Sequence, residues 1–170
     1  IGREKAGVAR ERVTRINPDA LVDARNLFVE ASNMDTLGLN PAWHVIDAID
    51  ALSSKIALLK YLYEQNVPCV SSMGAARRCD PTRIRLADIA QTHGCPLARE
   101  VRLRLRRHGI ESGIPCVFSD EPPLPIAQDI PQEEKTGKMP AGSIAHLPGI
   151  FGLTAAGYVI NQIVRGEHAA

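Results

Sequence analysis

Apolar and polar positions change period along the chain, and the changes mark out elements. Gly2 to Ile16 places Ala6, Ala9, Val13 and Ile16 on one helical stripe, which Asn17-Pro18 ends. Ala20 to Phe28 alternates apolar with polar residues and predicts a strand. Asn33 to Leu39 predicts a short helix or turn before Asn40-Pro41. Val45 to Ala48 is an apolar run too short for a helix and predicts a buried strand. The helix after it, Leu52 to Asn66, has Leu52, Ile56, Leu59 and Tyr63 at helical spacing. Val67 to Ser72 predicts a second short strand, giving a β-α-β unit that crosses over right-handed into a parallel sheet.

The second half continues the alternation. Loop Met73 to Thr82 leads to a strand at Ile84 to Ile89, and Cys95-Pro96 opens a helix to His108. Leu97, Val101 and Leu105 form its inward stripe, with Arg99, Arg102 and Arg106 on another face. Ile114 to Ser119 predicts a further strand. Glu121 to Pro140 carries five prolines and few large apolar residues, the composition of a loop or crossover. The last helix is predicted from about Gly152 to Arg165. Strands alternating with helices define an α/β fold.

Composition narrows this picture. The chain has 170 residues, enough for one sizeable domain, with 45% hydrophobic and 23% charged residues. Aromatics make up 4%, so aliphatic side chains must fill the core. The net charge of +1 is uninformative, but its distribution is not. From Arg77 to Arg107 nine arginines face three acids, and from Glu111 to Glu134 there are six acids and no base. Cys69, Cys79, Cys95 and Cys116 lie too far apart for a Cys-x-x-Cys zinc knuckle; with no secretory signal they fit reduced thiols in a cytoplasmic protein. Leu147 to Val164 is apolar but interrupted by Pro148, glycines, Asn161 and Gln162, which favours a buried helix over a membrane span.

The candidate chemistry centres on His44-Val45-Ile46-Asp47-Ala48-Ile49-Asp50. Ligands of open α/β sheets sit beyond the carboxyl ends of strands, where an acid can face a nucleotide and its metal. Asp50 is therefore a candidate Mg²⁺ ligand, with helix N-cap as its plainer alternative. Asp47 is more ambiguous, since it suffices to orient the loop. Arg77, Arg78, Arg83, Arg99, Arg102 and Arg106 are candidate contacts to a nucleic-acid backbone, or else a solvated face balanced by the acidic segment. Cys116 reads as a small core residue and Cys79 as the more reactive thiol. His44, His93, His108 and His146 lack ligand spacing.

Several motifs recur in a characteristic order: Ile1-Gly2-Arg3-Glu4-Lys5-Ala6, Val45-Ile46-Asp47-Ala48-Ile49-Asp50, and Val67-Pro68-Cys69-Val70-Ser71-Ser72-Met73-Gly74-Ala75-Ala76. Asp80-Pro81-Thr82, Phe118-Ser119-Asp120-Glu121 and Lys138-Met139-Pro140 follow. In that order and spacing the chain resembles the ubiquitin-activating-enzyme-like superfamily, and within it the branch of tRNA threonylcarbamoyladenosine dehydratases, over essentially its whole length. The resemblance implies a Rossmann-like, mostly parallel sheet flanked by helices, and an ATP- and Mg²⁺-dependent reaction on tRNA. Residues 1–120 would be the carboxyl-terminal part of an ATP-binding domain, 121–140 a crossover loop shaping the substrate entrance, and 141–170 a helix packed on the same domain. Lys5 aligns with the family's phosphate-contacting lysine and Asp50 with its Mg²⁺-holding acid, both catalytic, while Ala51 and Leu52 flank the nucleotide. A cytoplasmic homodimer is implied, with a sulfur-transfer protein as a possible partner.

The chain also departs from the pattern. The family's glycine-rich turn after a first strand, the acid after the second and a phosphate-approaching arginine would all precede Ile1. The expectation is an enzyme incomplete at its amino terminus, weak in ATP binding and marginally stable alone, because removing a leading β-α-β exposes apolar area and a sheet edge. Two rivals remain: an adenylyltransferase for a ubiquitin-like sulfur carrier, and a truncated, non-catalytic binding module.

Overall fold

The structure is a computed structural model that describes residues 2–125 and 142–166. Four helices and four strands carry the described fold: α1 (Lys5–Ile16), β1 (Val45–Asp47), α2 (Leu52–Glu64), β2 (Cys69–Ser72), β3 (Ile84–Asp88), α3 (Pro96–Arg106), β4 (Pro115–Ser119) and α4 (His146–Arg165). Short 3-10 segments at Ala31–Leu37, Pro81–Arg83 and Ile89–Gln91 link them. The strands form one sheet in the order β1-β2-β4-β3. β1, β2 and β4 run parallel, while β3 pairs antiparallel with β4. This is the α/β, mostly parallel sheet expected from the sequence.

Strand alternation assigns the layers. On β2 and β4, Val70 and Val117 turn to one face and meet Leu147, Phe151 and Ala155 of α4. Cys116 and Phe118 turn to the other, where Ile56 and Leu59 of α2 and Ala98, Val101 and Leu105 of α3 close the main core. A third cluster joins Met34 to Leu58, Leu62 and Val67. The sheet is covered on both faces at its centre, as parallel strands require.

Local signals explain the boundaries. Pro96 stands in the first turn of α3, where a missing N–H costs nothing, and Gly109 follows its end at φ +76°. α2 is followed by Asn66 at φ +53°, a conformation Asn tolerates better than most residues. α4 begins at His146, well before the expected Gly152, because Pro148 falls in the first helical turn and breaks no intrahelical bond.

Three expectations need correction. Ala20 to Phe28 forms no strand, although Ala20, Val22 and Ala24 are partly buried between exposed neighbours. Alternation is local, but a strand also needs a ladder partner, and none of the described strands pairs with this segment. α1 starts at Lys5 rather than Gly2 and buries none of its residues; the stripe through Val13 and Ile16 faces solvent. α4 is only one-sidedly buried, with Leu153, Ile160, Ile163 and Val164 exposed. By length and composition alone it could cross a membrane, yet its other face packs on β2 and β4. Of the segment Glu121 to Pro140, residues 126–140 lie outside the described part, as do Ile1 and 167–170.

Candidate functional site

β1 delivers a carboxylate to the middle of the molecule. Its register sets Asp47 beside Ser71 of β2, and equal pleating turns both side chains to the α2 face. One turn into α2, Lys55 reaches down to the same point. Its Nζ lies 2.6 Å from Asp47 Oδ2 and donates to Ser71 Oγ (3.2 Å) and to the Ser72 carbonyl (3.0 Å). Ser71 Oγ donates to Asp47 Oδ2 at 2.6 Å. The remaining oxygen, Asp47 Oδ1, accepts the Ile49 N–H at 2.9 Å. Lys55 and Asp47 are fully buried at 0% and 1% exposure, so this is an ion pair with its hydrogen bonds satisfied rather than a solvent-facing one. Asp47 thus orients the loop, the more modest of its two expected roles.

The loop it holds presents Asp50 at the carboxyl end of β1. Asp50 is exposed, and its carboxylate has no ion-pair or hydrogen-bond partner among the described residues. The N-cap alternative is overturned: Ala51 occupies the cap of α2 with extended backbone, and no side chain caps the helix. Among the described residues the first N–H groups of α2 therefore lack side-chain acceptors and the nearby Asp50 carboxylate lacks a partner, and Ala51 is exposed there with Leu52 half-buried. An exposed hard-oxygen donor fits Mg²⁺, which takes one or two carboxylates and draws its other ligands from water and phosphate. No group of three ligating side chains exists among the described residues.

Lys5 is exposed at the start of α1, after Glu4 at the cap. Glu4 accepts from Asn26 Nδ2 at 2.8 Å, which ties the helix start to the following segment. No described interaction joins Lys5 to Asp50, and neither lines a described cavity. One cavity, of about 400 Å³, lies between His44, Val67, Pro115, Tyr158 and Gln162, at the amino ends of the strands and opposite Asp50.

The arginines separate into two groups. Arg78 is 2% exposed, and its guanidinium donates to the carbonyls of Gly74, Ala76, Gly94 and Glu121. Arg102 donates to the Thr92 carbonyl and hydroxyl at 2.7 and 2.6 Å. Arg78 is a correction to the expected nucleic-acid contacts, because its donors are spent inside the fold, whereas Arg102 is half-buried and commits only its Nη1. Arg83 pairs with Asp120 at 2.7 Å and Arg77 donates to the Leu124 carbonyl. Arg99 and Arg106 stay exposed, joined by exposed Arg104 on α3 and by Arg107 just past its end.

Arg83 also holds the Asp120 carboxyl below its ordinary range, chiefly by that hydrogen bond. Burial pushes the Cys69 thiol up to about 12 and raises Cys116 as well, so neither is a thiolate nucleophile at neutral pH. Cys79 is exposed and Cys95 buried. Sequence reasoning missed Lys55. The usable signal was a lysine inside the apolar stripe Leu52, Ile56, Leu59, eight residues after an acid ending a short apolar strand.

Residues 1–169 match the ThiF family. A tRNA threonylcarbamoyladenosine dehydratase of Bacillus subtilis (strain 168) is 36% identical over 172 residues, spanning 97% of this chain and 68% of the relative. The tRNA threonylcarbamoyladenosine dehydratase 2 of Saccharomyces cerevisiae is 33% identical, over 96% of this chain and 40% of its own. Among solved structures, the E. coli tRNA N6-threonylcarbamoyladenosine dehydratase, TcdA, in complex with ATP superposes with a TM-score of 0.83 at 29% identity, covering all of this chain and 68% of that one.

Proposed function

This chain belongs to the ThiF family, and from that premise we propose that it carries the catalytic part of an ATP-dependent tRNA threonylcarbamoyladenosine dehydratase. The observation that carries the reading is Asp50, an exposed carboxylate with no partner among the described residues, on a pinned loop at the mouth of a parallel sheet, in a chain whose matched relatives are named for that reaction.

The chemistry asks for electrostatics rather than a covalent enzyme intermediate. A carboxylate becomes an electrophile once an oxygen of the threonyl group attacks the α-phosphorus of ATP and pyrophosphate leaves. The neighbouring carbamoyl group then attacks the acyl carbon, AMP departs with that oxygen, and the ring closes with net loss of water. When bound, Mg²⁺ would supply charge neutralisation at the phosphates. Asp50 would hold it, the Lys5 ammonium would face the phosphates near a helix start, and the backbone at Ala51 and Leu52 would border the nucleotide. The raised thiols of Cys69 and Cys116 agree with a route that needs no thioester.

On this reading the units are an ATP-binding part in residues 1–120, a crossover at 121–140 and a helical close at 141–170, in a cytoplasmic homodimer. The exposed arginines of α3 would meet the tRNA backbone. Arg99→Glu with Arg106→Glu should weaken tRNA binding and flatten its salt dependence by roughly one unit of slope per lost phosphate contact. Arg102→Gln should lower the melting temperature and leave the slope unchanged. Binding titrations across a salt series check both.

The reaction itself is tested with the complete native protein, ATP, Mg²⁺ and tRNA carrying threonylcarbamoyladenosine. The expected result is AMP release matched by loss of one water's mass from the modified nucleoside. Pyrophosphate exchange stimulated by a small sulfur-carrier protein instead of tRNA would replace the proposal with the adenylyltransferase reading. No nucleotide turnover with either would leave a binding module.

A further inference from the structure

The buried Lys55–Asp47–Ser71 cluster sits beneath the candidate site, and the reaction as written does not use it. Lys55 Nζ is sealed from solvent and cannot touch a ligand. Its three N–H donors are all taken, by Asp47 Oδ2, Ser71 Oγ and the Ser72 carbonyl. Both Asp47 oxygens are engaged too. Such a pair is a poor stability device, since a well-packed apolar replacement commonly does as well or better. Its geometry suggests another use. It ties the last residue of β1, the first turn of α2 and the end of β2 to one point, and the only chain between the first two ties is the loop bearing Asp50.

We infer that Lys55, Asp47 and Ser71 are positioning residues that lock the Asp47-to-Ala51 loop so that the Asp50 carboxylate is presented preorganised for a divalent cation. This rests on the metal-holding role proposed for Asp50. Asp47 Oδ1 fixes the Ile49 N–H, one residue before Asp50, and Lys55 together with Ser71 fixes the Asp47 rotamer from the far side. Lys55 is itself held by its N–H on the Ala51 carbonyl at 2.9 Å, so helix and loop move as one. Groups that orient a metal's ligand commonly change metal affinity by ~10–100-fold when removed.

The test compares the complete wild-type protein with Ser71→Ala and with the charge-neutral pair Asp47→Asn/Lys55→Met. Three quantities are read: thermal melting, amide exchange at Ile49, and the Mg²⁺ concentration giving half-maximal AMP formation at saturating ATP and tRNA. The expected result is a cooperative melt in both variants, faster Ile49 exchange, and a Mg²⁺ requirement raised ~10–100-fold in the pair, with kcat at saturating Mg²⁺ within about twofold of wild type. Ser71→Ala shifts the same readouts less, and it decides the matter alone if the pair does not fold. A folded variant with wild-type Ile49 exchange and wild-type Mg²⁺ dependence would overturn the inference. Absence of AMP formation in the wild type would instead strike the proposed reaction, and Ile49 exchange would still show whether the cluster holds the loop.

Discussion

Replacing Asp50 by alanine is expected to remove AMP formation while leaving the fold intact. The side chain is exposed and has no partner among the described residues, so its removal should change stability by no more than about 0.5 kcal/mol. On the metal-holding role proposed for Asp50, its loss would by contrast withdraw several kcal/mol of transition-state stabilisation, roughly three orders of magnitude in rate. Asp47 supplies the contrast three residues away. Asp47→Ala strands the Lys55 ammonium in a dry interior, which typically costs about 3–5 kcal/mol, so it should lower activity and melting temperature together. Parallel melting curves and AMP assays of the two variants separate the roles. Near-wild-type turnover in Asp50→Ala would remove that residue from the site.

The second large effect is expected at Arg78, through stability. Its guanidinium closes four carbonyls drawn from the segment after β2, the turn at Gly94 and Glu121 beyond β4. Nearby, the Glu121 carboxylate accepts the N–H groups of Cys79 and Asp80, so the two side chains lace the same loops from opposite directions. The packing leaves no slack: a Cβ on Gly94, whose φ is +67°, would lie 2.8 Å from the Asp120 carbonyl. Arg78→Ala leaves several acceptors without a partner in a place water reaches poorly, for a loss of about 3–5 kcal/mol. At 2–4 °C per kcal/mol for a chain of this size, the melting point should fall by roughly 10 °C. Arg78→Lys should recover only part of it, since an ammonium cannot reproduce the planar fork. A tRNA-contacting arginine would behave otherwise, weakening binding with little change in melting.

These two sites also show what the sequence made legible. Periodicity found β1, α2 and β2 as short apolar runs bounded by polar turns, although β1 is an edge strand of the described sheet with Ile46 exposed rather than the buried strand expected, and Pro96 fixed the start of α3. It failed where the decisive fact was a distant partner. Ala20 to Phe28 has the alternation of a strand but no described ladder to join. Tyr63 sat on the expected apolar stripe of α2 yet is about half exposed, while Leu62 and Lys55 are the buried members. Charge counting predicted a basic surface, but Arg78 and Arg102 donate inward to carbonyls that no sequence pattern reveals. The exposed position of Asp50 at the end of β1 was legible from the strand pattern. The cluster that holds its loop was not, because Asp47, Lys55 and Ser71 meet only once the β1–β2 register is set.

The central claim is that one bound nucleotide is addressed from both Lys5 and Asp50. The most direct measurement is a structure of the complete native protein with Mg²⁺ and ATP. The account predicts the triphosphate within hydrogen-bond reach of Lys5 Nζ and a Mg²⁺ about 2.1 Å from an Asp50 oxygen. A nucleotide seated at the opposite end of the sheet, in the cavity between His44 and Tyr158, with both residues untouched, would contradict it.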